Sequence, residues 1–90
     1  MFKTIADGTE SAEIRALAQR YLDRHQALGF RVDVSAGPVE LDGDEYCITV
    51  DFSRDNVYAY EYNPVLVETE RDVWENEGRR ILFIPALRKG

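Results

Sequence analysis

Two stretches of alternating apolar residues around an Asp-Gly pair constrain this chain more than any other feature. In the second stretch Tyr46, Ile48, Val50 and Phe52 take one face of a strand, while Glu45, Cys47, Thr49 and Asp51 take the other. The first stretch, residues 31–41, changes parity: Val32, Val34 and Ala36 share one phase, Val39 and Leu41 the opposite one. A β-bulge near Gly37-Pro38 restores a common face. With Asp42-Gly43 as a two-residue turn, Val39 falls opposite Tyr46, Ala36 opposite Ile48, Val34 opposite Val50 and Val32 opposite Phe52. A slip by one residue would turn all of these groups to solvent, so the pairing is strongly specified.

A hairpin needs a partner for its apolar face, and the chain supplies one on each side. Before it, Ile14, Leu17, Ala18, Tyr21, Leu22, His25 and Leu28 recur at helical spacing, which predicts a helix over 9–28. Asp7, Thr9 and Ser11 are available as N-caps, and Gly29 stands where a left-handed residue ends a helix. After the hairpin, residues 57–62 alternate and are rich in tyrosine, which favours a third strand, although Tyr58, Ala59 and Tyr62 also fit a helical stripe. Asn63-Pro64 reads as the N-cap and first residue of a second helix reaching Asn76 or Glu77, with Leu66, Thr69 and Val73 inward. Ile81 to Ile84 form a strand that is apolar on both faces and stops at Pro85. The expected fold is α+β: two helices on one face of a three- or four-stranded, mainly antiparallel sheet, in the order αββ(β)αβ. With a helix at the tyrosines the order becomes αββααβ, which by order alone resembles the type II KH arrangement. The Gly-x-x-Gly loop of that arrangement is absent between Phe52 and Pro64, so the resemblance implies no nucleic-acid binding.

Ninety residues fit one domain, with about 1–8 and 86–90 expected to be loose termini. Cys47 is the only cysteine and His25 the only histidine, which excludes an internal disulfide and any zinc pattern of repeated Cys and His. No glycine-rich phosphate loop is present, and no cofactor is expected. The absence of an N-terminal apolar run points to a cytoplasmic protein with no membrane span. The net charge of −6 is uneven: residues 1–30 and 63–90 are each balanced, whereas 31–62 hold Arg31 and Arg54 against eight acidic residues. A chain with its excess charge of this sign is a poor direct ligand for nucleic acid.

The same hairpin register sets Asp33 opposite Asp51 and Glu40 opposite Glu45 on the outer face, away from the first helix. Like charges opposed across strands cost up to about 1 kcal/mol each, so such pairs suggest a face that receives cations. A screened, solvated surface that only aids solubility is the competing reading. Tyr60 and Trp74 add candidate aromatic contacts, with Trp74 off the inward stripe of its helix. Ile81, Leu82, Phe83 and Ile84 offer apolar groups to both faces of a sheet that the helices cover on one, which suggests a homodimer through Leu82 and Ile84 or through Ile81 and Phe83. His25 and Cys47 lie on opposite sides of the sheet and make no catalytic pair. The expected function is a non-enzymatic, acidic interaction protein that self-associates and engages a basic protein surface. Alternatives are a small-ligand domain with a tyrosine-lined pocket, and a nucleic-acid mimic that inhibits a DNA-binding protein.

Overall fold

The computed structural model describes residues 3–4, 8–36 and 39–86. The elements are β1 (Lys3–Thr4), α1 (Gly8–Leu22), β2 (Val32–Val34), β3 (Glu40–Asp42), β4 (Glu45–Phe52), α2 (Ala59–Glu77) and β5 (Arg80–Pro85). β4 is central: β2 and β3 pair with it end to end and antiparallel on one side, and β5 pairs with it in parallel on the other. β1 pairs with the far side of β3. Both helices lie on one face, so the α+β architecture is as the alternation implied.

The core follows from two periods meeting. Val32, Val39, Ile48, Val50, Ile81 and Phe83 point inward from the strands, and Ile14, Ala18, Tyr21, Leu22, Val65, Leu66 and Val73 meet them from the helices. Leu22 and Val73 are wholly buried. Removing a side chain such as Leu22 costs about 2–5 kcal/mol, a large share of the stability of a domain this small.

The register agrees with the sequence at one end of the hairpin and differs at the other. Val32 faces Phe52, Asp33 faces Asp51 and Val34 faces Val50. Near the turn, however, Leu41 faces Tyr46, Asp42 faces Glu45 and Glu40 faces Cys47, so neither Val39 opposite Tyr46 nor Glu40 opposite Glu45 holds. The turn residues are Gly43 and Asp44 rather than Asp42 and Gly43. Gly43 has φ 64° and Asp44 has negative φ, the pattern of a turn that wants glycine first. Beyond Val34, the Ser35 N–H still donates to Thr49 C=O at 2.9 Å, and the pairing is next seen with Glu40 opposite Cys47. The expected bulge at Gly37-Pro38 lies outside the described residues.

Both helices begin or end elsewhere than the sequence suggested. α1 stops at Leu22, because Arg24 N–H and His25 N–H tighten onto the carbonyls of Tyr21 and Leu22, three residues back. Leu28, expected on the apolar face, is fully exposed. The tyrosine segment is not a strand: Tyr58 is the N-cap of α2, and the Glu61 carboxylate accepts the Tyr58 N–H at 2.9 Å. Pro64 lies inside that one continuous helix, so the order with two consecutive helices does not arise. The two-residue strand β1, in a stretch expected to be loose, is too short to leave a period in the sequence.

Candidate interaction surface

The strand register builds the outer face of the sheet row by row. Across one end run Asp42, Glu45 and Arg80; next come Glu40, Cys47 and Leu82; then Thr49 and Ile84; then Asp33 and Asp51. An apolar strip thus has acidic residues at both ends. Leu82 is 41% exposed and Ile84 40%, while Ile81 and Phe83 are buried beneath the protein's own helices. Of the two dimer contacts considered from the sequence, only Leu82 with Ile84 is open. Cys47 sits in the strip but is buried, and burial followed by the nearby Glu45, Asp42 and Glu40 carboxylates pushes its thiol pKa up. A raised pKa disfavours the thiolate that nucleophilic chemistry needs.

Asp33 is not held clear of the first helix. Its Oδ1 accepts from Gln19 Nε2 of α1 at 3.2 Å and from Arg31 Nη2 at 3.0 Å, and Arg31 also reaches Asp23 at 3.0 Å. Arg31 therefore offsets part of the Asp33–Asp51 repulsion. The reason Gln19 comes so close is the edge of β2. Its outward backbone groups are matched by side-chain amides: Gln26 accepts from Val32 N–H and donates to Val32 C=O, each at 2.8 Å, and Gln19 accepts from Val34 N–H at 2.7 Å. β2 is closed to further strands in this way.

The opposite edge, at β5, is only partly closed. α2 runs beside it and turns Val67, Glu70, Arg71 and Trp74 toward it, one stripe at helical spacing. Between them lies a groove of about 420 Å³ that also touches Glu45, Arg80 and Ile81. Glu70 Oε2 accepts the Phe83 N–H at 2.9 Å, and burial raises the Glu70 pKa despite this bond. Trp74 is half exposed with the Arg80 guanidinium 5.2 Å from its ring centre. The sequence picked out Trp74 by its phase, but nothing in it signalled that Glu70 would reach a strand edge.

The remaining candidates disperse. Tyr60 is 77% exposed and stacks on exposed Tyr58 at 5.9 Å at the start of α2; Tyr62 instead stacks on Phe52 at 5.0 Å, both half-buried against the core. A cavity of about 270 Å³ opens at the β4–α2 loop, where Phe52, Arg54, Val57 and Tyr58 line it, but Tyr60 and Tyr62 do not. His25 lies past the end of α1 with Nε2 3.1 Å from Asp72 Oδ2, and it bridges the helices. Among the described residues no group of His, Cys, Asp and Glu could hold a metal ion, and no helix is long and apolar enough to cross a membrane. No protein-family model matches the chain, and no curated protein or solved structure matches it significantly.

Proposed function

We propose that this protein is a non-enzymatic interaction module whose outer sheet face, along β4 and β5, binds a basic protein surface. The observation that carries the reading is the arrangement of that face: Leu82 and Ile84 exposed in the middle, with Asp33 and Asp51 at one end and Glu40, Asp42 and Glu45 at the other. An apolar centre within a charged rim is the usual anatomy of a protein interface. The concentration of acidic excess in residues 31–62 supports a cationic partner, since rim charges steer association. The same arrangement disfavours the homodimer through Leu82 and Ile84. Carboxylates outnumber the basic residues Arg80 and Arg31 at the two ends of the strip, so two-fold stacking of this face brings net negative charge together.

Affinity capture from native extract at low and high salt, followed by mass spectrometry, tests the reading. A basic protein retained at low salt and released at high salt is expected. Retention of a salt-insensitive or acidic partner, or a stable dimer in sedimentation at micromolar concentration, would contradict it.

A further inference from the structure

The geometry points to the free edge of β5 as a strand-acceptor site, where an extended segment carrying Lys or Arg among β-favouring apolar residues adds beside β5 and places a basic side chain at Glu70. This rests on the interaction reading above and names how the partner is held.

The backbone pattern identifies which groups are open. Ala86 N–H donates to Val50 C=O, so in the parallel ladder Leu82 and Ile84 are turned to β4 while Ile81, Phe83 and Pro85 are turned outward. Of the outward groups, the Phe83 N–H is held by Glu70, and Pro85 has no N–H to offer. Among the described residues Ile81 N–H, Ile81 C=O and Phe83 C=O are left, enough for three backbone bonds to a strand centred on Ile81. Strand addition takes its affinity from such bonds and its specificity from alternate side chains. One set of alternate side chains would enter the groove beside Val67 and Trp74, and the other would lie next to Leu82 and Ile84.

Charge selects the segment. In the groove Arg71 is paired with Glu68 at 2.8 Å, and Arg80 lies over Trp74 and 4.0 Å from Asp44. Among the described residues no cation pairs with Glu45 or Glu70, so the unmatched charge of the groove is negative. A lysine or arginine there would meet the Glu70 carboxylate beside Trp74. A second copy paired antiparallel through β5 and centred on Leu82 or Phe83 would need the Phe83 N–H of both copies, which Glu70 holds; in a pair centred on Ile81, each copy's Glu70 would face a carboxylate-bearing copy in place of a basic segment.

The test uses capped synthetic heptapeptides alternating Val and Lys, with Trp74, the only tryptophan, as the fluorescence reporter. Saturable perturbation of Trp74 is expected. N-methylation of every second residue, made in both registers, should weaken binding at least about tenfold in one register, since the two bonds to Ile81 C=O and Phe83 C=O are lost. Glu70→Gln should weaken the Val-Lys peptide several-fold and leave a Val-Thr peptide unaffected. Equal binding by the parent and both N-methylated peptides would overturn strand addition while leaving a basic partner on the outer face intact. No saturable response up to millimolar peptide, or equal binding of a Val-Glu peptide, would overturn the site altogether.

Discussion

At the scale of single residues the structure separates groups that hold the fold from groups that burden it. Glu70 is the clearest burden: burial raises its folded pKa above the unfolded value of 4.5, and the Phe83 N–H only partly offsets this. A carboxyl with a raised folded pKa binds more protons folded than unfolded, so it favours the fold at low pH, and that contribution is lost as pH rises through the folded pKa. Glu70→Gln keeps an acceptor for the Phe83 N–H and should raise the thermal midpoint at neutral pH while flattening this part of its pH profile. Glu61 works in the other direction. Its pKa is lowered by the Tyr58 N–H and then by Arg54, so its contribution is present above pH 4.5 and fades below. Ser11 is buried with a hydroxyl that has no hydrogen-bond partner among the described residues, so Ser11→Ala should be neutral or stabilise by up to about 1 kcal/mol in urea unfolding. Gln26→Ala should cost about 1 kcal/mol in the same experiment, because it strips the partners from both Val32 backbone groups.

At the scale of elements, what the sequence made legible was whatever had a long period. The alternation of β4 and the three- and four-residue spacing of Ile14, Ala18 and Tyr21 or Leu66, Thr69 and Val73 each report a face against a core, and these faces are the ones found buried. Boundaries were less legible because they depend on single local bonds. Residues 57–62 alternate like a strand, yet the Glu61 carboxylate turning back to Tyr58 N–H starts a helix there, and a helix continues through Pro64. The turn was misplaced by one residue because Asp-Gly suits a turn with both φ values positive, whereas Gly43 alone is left-handed here. That displacement removed Glu40 from its expected place opposite Glu45. The outer face survived as an acidic surface because Asp42 took that place. A Cβ at Gly43 would meet nothing within 4 Å, so Gly43→Ala should lose about 1 kcal/mol in thermal or urea unfolding through backbone strain alone. A much larger loss would mean the turn carries tertiary contacts.

At the scale of the whole molecule, the β2 and β5 edges of the sheet are treated differently. β2 is sealed by amides from Gln19 and Gln26, whereas β5 keeps Ile81 and part of Phe83 open and adjoins the exposed apolar strip. Of these two edges, the one with open backbone groups is therefore also the one beside the exposed Leu82 and Ile84. Asp51 faces Asp33, but among the described residues only Asp33 is paired with Arg31, so Asp51→Asn should relieve repulsion without breaking a pair seen there. Stability is expected to stay level or rise slightly, and association of a captured basic partner to slow at low salt more than at high salt. The measurement that tests the account most directly is capture of a basic protein by the wild type, by the outer-face variant Leu82→Ser with Ile84→Ser, and by Leu28→Ser. Leu28 is fully exposed and absent from the outer-face register, so it controls for simple loss of surface apolarity. The account predicts capture by the wild type and Leu28→Ser and its loss in the outer-face variant, with thermal midpoints close to one another. Undiminished capture by a folded outer-face variant would contradict it.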